Sequence, residues 1–210
     1  MTPPFHTTRS PRHMVASADG LATQAGLSIL AQGGNAVDAA IATNAAIAVT
    51  GPHLCGTGGD LFALVHDDGK VHCLNASGRS GSGADAQSVR ADGHTVMPFH
   101  HDIRTVTIPG CVDGWVTLHE RFGTLPLATL LAPAISLAAE GFPASPLLVG
   151  SLARLDPQAR ASLHELSGQA HRPNDRVQRP GVAAALREVA EGGRDAFYGE
   201  IGRASCRERV

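Results

Sequence analysis

Apolar residues return at helical spacing through most of the chain, and the exceptions are gathered in one central stretch. From Ala18 to Gln32, Leu21, Ala25 and Ile29 recur every four residues and Gly33-Gly34 follows, which predicts a helix closed by a glycine cap. Asn35 opens a second helix, AVDAAIATNAAIAVT, apolar nearly all round and so expected in the interior; Gly51-Pro52 ends it. The period then changes. LFALVH and VHCLN flank Asp67-Asp68-Gly69-Lys70, and Asp-Gly between two β-prone runs predicts a hairpin. Ala76 to His101 is polar and Gly/Ser-rich with one helical turn near Ala86, and RTVTIPG reads as a short strand ended by Pro109-Gly110. A helix from about Val112 to Phe122 stops at Gly123. Thr124 is placed to cap a segment with Pro126 in its first turn, and LATLLAPAISLAAEGF makes one helix or two broken near Pro133. Helical patterns resume at about 146–166 and 180–191. Residues 1–13 are aperiodic and Pro- and Arg-containing, a flexible arm entering the fold near Met14. No internal repeat or linker divides residues 14–200.

Composition narrows the class. The 210 residues carry 17 basic and 19 acidic side chains, a net charge of -2, with 43% hydrophobic residues. That is a globular profile, with neither the basic balance of a nucleic-acid-coating chain nor the polarity of a disordered one. Aromatics make up only 4% while glycine contributes 24 residues, so the core is built from small side chains on closely packed backbones and an aromatic cofactor box is not expected. No apolar run reaches the roughly 20 residues of a membrane span, and the first residues lack the apolar region of a signal peptide. A cytoplasmic location without membrane association is the expectation.

Candidate chemistry is sparse. Cys55, Cys73, Cys111 and Cys206 are far apart with no paired-cysteine spacing, and His66 and His72, the nearest approach to a histidine cluster, have no third ligand close by, so no metal is expected. Gly56–Gly59 lacks the lysine of a phosphate loop and leads into a strand; Gly81-Ser82-Gly83 is separated from the preceding strand and has no βαβ unit around it. Asn75-Ala76-Ser77 spells a glycosylation site by coincidence of sequence. No cofactor is implied. Arg79, in LNASGRSGSG, stands out because it follows a buried-looking strand among residues too small to obstruct it, so its guanidinium can be offered to a carboxylate as a bidentate fork.

The last ten residues, IGRASCRERV, break the pattern, with three arginines and one of the four cysteines in an aperiodic run. The codons ATC GGA AGA GCG TCG TGT AGG GAA AGA GTG would encode them and resemble a sequencing adapter, so residues 201–210 are read as a non-native tail. Without that tail the charge becomes -4, from 14 bases and 18 acids.

The stretches from Met14 to Lys70 and from Ile108 to Ser145, together with the late AFYGE, resemble the gamma-glutamyltransferase family. GGNAVDAA, Pro109-Gly110-x3-Gly114-Trp115 and FG-x-L-P occur in the family's order, and the resemblance covers about Met14 to Glu200. It implies an α+β fold, the four-layer αββα sandwich of N-terminal-nucleophile hydrolases, only partly represented here. It further implies a precursor that cleaves itself into large and small subunits. The small subunit's new N-terminal threonine is the nucleophile and its own α-amine the base. This chain resembles the front of the large subunit, so no catalytic residue is expected in it and its partners are that small subunit and a γ-glutamyl or related amide substrate. Arg79 matches the family arginine that binds the α-carboxylate of the γ-glutamyl group. Many glutathione-cleaving members follow that arginine with Glu-Ala-Pro, whereas here Ser80-Gly81 follow, as in members that act on glutaryl or oxamate-type acyl groups. The alternative is a standalone, non-catalytic module that binds carboxylates or a partner.

Overall fold

The computed structural model describes residues 9–98 and 102–201; residues 1–8 of the arm and all of the tail beyond Ile201 lie outside them. Helix α1 (Gly20–Ala31) starts on Asp19, whose carboxylate accepts from the backbone N–H groups of Leu21 and Ala22 at 2.8 and 3.1 Å. Gly33, at φ 92°, turns the chain into helix α2 (Ala36–Thr50), which carries a reciprocal cap: Asn35 accepts from Val37 and Asp38, and Asp38 accepts back from Asn35 N–H at 3.0 Å. Eleven of the fifteen residues of α2 are buried, which is why it shows no polar face.

Strands β1 (Leu61–Asp67) and β2 (Lys70–Ala76) pair antiparallel, with Leu61 opposite Ala76 and Asp67 opposite Lys70. Asp68 and Gly69 both take positive φ, 44° and 72°, as the tight two-residue turn of a hairpin requires. Alternation gives the hairpin two faces. Leu61, Ala63, Val65, Leu74 and Ala76 join the helical core, whereas Phe62, Leu64 and Val71 stand on the opposite face at 64, 76 and 67% exposure. His66 and His72 point to opposite faces for the same reason; His72 turns to the helices, where Arg121 donates to its Nδ1 at 2.8 Å.

Helix α3 (Ala86–Ala91) follows. The expected strand over RTVTIPG is absent: Ile103–Thr105 is a 3₁₀ turn and the rest is extended loop. Asp102 caps that turn by accepting from Arg104 N–H at 2.9 Å, and the Arg104 side chain reaches Asp92 at 2.7 Å, folding the segment onto α3. Pro109 then removes a donor from any ladder. Helix α4 (Cys111–Phe122) lies across the hairpin, its Gly114 against Leu61 and Ala76. Trp115 is fully buried, and its indole N–H is satisfied by Asn44 Oδ1 at 2.7 Å.

Helix α5 (Leu127–Glu140) runs unbroken through Pro133. Burial of Leu130, Leu131, Ala134 and Ala138 along one side outweighs the local cost of the proline, typically about 3 kcal/mol. The expected cap by Thr124 does not form: Pro126 occupies the cap position, and the Thr124 N–H and hydroxyl both donate to Asp38 instead. Strands β3 (Phe142–Pro143) and β4 (Arg176–Val177) make a short second sheet. The helical pattern at 146–166 resolves into three pieces, α6 (Pro146–Ala153), α7 (Pro157–Ser162) and α8 (His164–Ser167), because Pro157 opens a new helix and Leu163 leaves helical geometry. Helix α9 (Pro180–Asp195) packs on α5 and departs from helical geometry at Gly193 (φ 59°). A π-helical turn, Ala196–Ile201, follows it. Among the described residues no helix is long and apolar enough to cross a membrane.

Three loops meet where Leu61 faces Ala76. Gly59 O accepts from the N–H groups of Gly110 and Cys111 at 2.9 and 3.0 Å, and Arg79 O accepts from Ile108 N–H at 2.8 Å. The approach is closer than a side chain permits. A Cβ on Gly78 would sit 1.9 Å from Ile108 O, and one on Gly110 would sit 2.0 Å from Ala76 O.

Two stability predictions follow from these contacts. Burial opposes ionisation of Asp38, but hydrogen bonds from Thr124, Asn35 and Leu125 prevail and leave its pKa below the ordinary 3.8. Its contribution is therefore complete above the unfolded value of about 4 and is lost as the pH falls through the lower folded value. Asp38→Ala should cost about 3–5 kcal/mol at neutral pH by orphaning several donors, with the deficit shrinking in acid; urea unfolding of both proteins at several pH values measures it. Gly78→Ala, at φ 79° and against Ile108 O, should cost about 2–4 kcal/mol. The control Gly81→Ala meets nothing within 4 Å and should change stability by less than about 1 kcal/mol in the same assay.

Candidate active-site cleft

The junction of the three loops fixes the backbone of Arg79. β2 ends at buried Ala76, Gly78 reverses the chain at φ 79°, and the bond from Ile108 N–H holds the Arg79 carbonyl, so the residue leaves the sheet edge at a set place. Its side chain is exposed, and among the described residues it has no hydrogen-bond or ion-pair partner. Arg79 lines a cleft of about 410 Å³ together with Asn75, Pro109, Asp113, Arg194 and Tyr198.

The remaining polar groups of the cleft are engaged with one another. Asp113 forms an ion pair with Arg194, which also lies 5.2 Å from the centre of the Tyr198 ring. The Tyr198 hydroxyl donates to Pro109 O at 2.6 Å and accepts from Asp113 N–H at 3.1 Å. Burial raises the Tyr198 pKa, against the N–H bond from Asp113, so the hydroxyl stays protonated at neutral pH and keeps its donor role. The break at Gly193 lets the chain turn so that both Arg194 and Tyr198 reach back to α4 and the 107–110 loop. With Asp113 committed to Arg194, Arg79 is the unpaired cation of the cleft among the described residues, open to a carboxylate.

Asn75, the residue of the glycosylation-like sequence, accepts from Ser77 N–H at 3.1 Å and so stiffens the approach to Arg79. Cys55, Cys73 and Cys111 are free thiols. Cys111 is buried behind the cleft, and burial pushes its pKa up to about 12, which leaves it unreactive at neutral pH. Among the described residues no three His, Cys, Asp or Glu side chains come together as a metal site. The roles of Asp113, Arg194 and Tyr198 were not apparent in the sequence. Their spacing of some eighty residues carries no pattern, and only AFYGE marked the place.

Comparison with known proteins identifies the setting. The family model for gamma-glutamyltranspeptidase matches residues 22–206. A glutathione hydrolase-like proenzyme of Bacillus subtilis is 37% identical over 89% of this chain and 37% of its own length, and the oxamate amidohydrolase proenzyme of Klebsiella pneumoniae is 35% identical over 92% and 39%. The chain thus spans less than two fifths of the length of these relatives. Among solved structures, the gamma-glutamyltranspeptidase of Pseudomonas nitroreducens complexed with L-DON superimposes with a TM-score of 0.82 at 28% identity, over 93% of this chain and 60% of that one. The cephalosporin acylase of Bacillus halodurans gives 0.79 at 37% identity, over 93% and 40%. The fold class is therefore the α+β arrangement of the N-terminal-nucleophile hydrolases, of which the described residues hold the helices and two small sheets. By its motifs, its fold and its match over most of its length, the chain belongs to the gamma-glutamyltranspeptidase family.

Proposed function

We propose that this chain is the front of the large subunit of an amidohydrolase or acyl transferase that cleaves or transfers γ-glutamyl or related acyl groups. The observation that carries the reading is the unpaired Arg79 guanidinium, held by the glycine contacts at the mouth of a cleft whose other charges are already matched. In this reading Arg79 binds the carboxylate of the acyl group and so sets how far the amide carbonyl projects from the loop junction. A nucleophile placed there by the small subunit, its N-terminal threonine activated by its own α-amine, attacks that carbonyl and expels the amine. Asp113 and Tyr198 are positioning residues, which fix Arg194 and the 107–110 loop around the bound group. The names of the relatives, glutathione hydrolase-like and oxamate amidohydrolase proenzymes, support both the acyl chemistry and the precursor.

The outer hairpin face supports a partner subunit. Phe62, Leu64 and Val71 form an apolar surface on a two-stranded sheet, and both strands have free edges among the described residues. The small subunit of the same precursor is the proposed cover. The free thiols of Cys55, Cys73 and Cys111 are compatible with a reducing compartment, and we place the protein in the cytoplasm on that ground.

Two measurements check this reading. The 210-residue chain alone should not turn over a chromogenic γ-glutamyl anilide, because it lacks the nucleophile; activity that copurifies with the chain and disappears on heating would contradict this. In the complete precursor, Arg79→Ala should leave self-cleavage intact and weaken substrate by the roughly 2–5 kcal/mol typical of a desolvated charge pair, about thirty- to several-thousand-fold, chiefly in KM. Arg79→Lys should recover part of that loss, since an ammonium cannot form the bidentate fork. Wild-type kinetics in a self-cleaved Arg79→Ala enzyme would reduce Arg79 to a solvated loop residue.

A further inference from the structure

A second cavity, of about 530 Å³, shares no lining residue with the Arg79 cleft. It lies between the C-terminal end of α2, the 55–58 loop, helix α6 and the start of α9. Its walls are aliphatic, made by Leu148, Leu152, Leu155, Leu163, Leu166 and Val182. His53 and Arg179 line it as well, and among the described residues Arg179 is the single charged side chain of the lining. No carboxylate lines the cavity, so its wall carries one positive charge.

Arg179 is rooted at backbone and side chain. Its N–H donates to Ala138 O at 2.8 Å, and its Nη1 donates to the last carbonyls of α2, Ala48 O at 3.2 Å and Val49 O at 3.4 Å. Nε and Nη2 are left without a partner among the described residues. On a planar guanidinium these two groups point the same way and form the fork that matches a carboxylate. Burial lowers the Arg179 pKa against the influence of Glu165, and among the described residues the guanidinium forms no ion pair. A half-buried cation without a counter-ion is costly, and an anion in the cavity offsets that cost. Both ring nitrogens of His53 are buried without a partner. Burial lowers its pKa against the influence of Asp19, so the ring is neutral, adds no charge to that of Arg179 and offers one N–H donor.

We propose that this cavity binds a medium-chain aliphatic carboxylate, its head on the Nε–Nη2 edge of Arg179 and its tail along Leu148, Leu152, Leu155 and Val182. The lining selects this chemistry. An amine meets the charge of Arg179 with one of the same sign, and an uncharged guest leaves the guanidinium without a counter-ion. A phosphate or other dianion brings a second charge that no lining residue matches. A single carboxylate neutralises the wall, and its methylenes leave water for the leucine side chains. The volume falls within the range of small-molecule sites, roughly 300–1,000 Å³. The site is separate from the Arg79 cleft, and the proposal does not rest on the reading given to that cleft.

Calorimetric titration of the 210-residue chain with octanoate, hexanoate and octylamine tests the proposal without altering the protein. Octanoate should bind with a Kd of about a millimolar or tighter. Hexanoate, two methylenes shorter, should bind about tenfold more weakly, and octylamine, as its cation, at least about tenfold more weakly. Arg179→Gln, with folding checked by circular dichroism, should weaken octanoate about tenfold or more. Arg179→Lys should recover only part of that loss, and Ser151→Phe, which fills the cavity, should abolish binding. The complete, self-cleaved precursor should bind octanoate as the 210-residue chain does. Absence of binding at about 10 mM octanoate overturns the proposal. Equal affinity for octylamine overturns it in favour of a purely apolar groove, and unchanged affinity in a folded Arg179→Gln or Ser151→Phe chain places the ligand elsewhere and overturns it too. Loss of binding in the precursor also overturns it, because the rest of the polypeptide then fills the cavity. If the Arg179 variants do not fold, the three ligands on the unaltered chain and the Ser151→Phe titration decide.

Discussion

The Asp38 carboxylate is where two separate parts of the chain are tied together. It accepts from Asn35 N–H at the start of α2 and from Thr124 and Leu125 in the link between α4 and α5, while Asn35 donates to Phe122 O at 2.6 Å from the other side. Burying a lone carboxylate is unfavourable, and here several N–H and O–H groups replace its water, enough to keep it ionised. The link in turn sets where α4 lies, and α4 carries both Trp115 in the core and the inner face of the hairpin. The hairpin and its loops thus inherit their position from one buried charge.

From that base the cleft is assembled by backbone rather than by side chains. Gly78 and Gly110 let three loops approach to hydrogen-bonding distance at the open end of the β1–β2 ladder, where Gly59 O accepts from Gly110 and Cys111, and Arg79 issues from that knot. A guanidinium on a long flexible stem carries a large entropic cost when immobilised, and a rigid root reduces the part of that cost paid when a ligand binds. The pairing of Asp113 with Arg194 works in the same direction, since it engages the carboxylate that lines the same cleft and would compete for Arg79.

Much of this was legible in the sequence where local chemistry dictates the outcome. Gly33 and Asn35 marked the α1–α2 turn, Asp68-Gly69 marked the hairpin, and an all-round apolar α2 announced its own burial. The misreadings have a common cause, tertiary competition for local signals. Thr124 has a good capping side chain, but Asp38 is the stronger acceptor and takes it. RTVTIPG alternates like a strand, yet Asp102 and Arg104 fold its first half onto α3 and Pro109 spoils the rest. At Pro133 the sequence left one helix or two open, and packing on the core decides for one. At the cleft, Arg79 was marked by its small neighbours and by the family resemblance, whereas Asp113, Arg194 and Tyr198 meet only through the long return of the chain past Gly193.

Helix α2 is secured at both ends by side chains from distant sequence. Asn35 and Asp38 tie its first turn to the α4–α5 link, and Arg179 covers the carbonyls of Ala48 and Val49 at its last. A helix usually frays from its ends, where backbone groups lack intrahelical partners. In α2 neither end can open without also releasing a tertiary contact more than eighty residues away in sequence. Its amides should therefore share the slowest exchange of the molecule and open only with the core as a whole, making α2 part of its last cooperative unit to unfold.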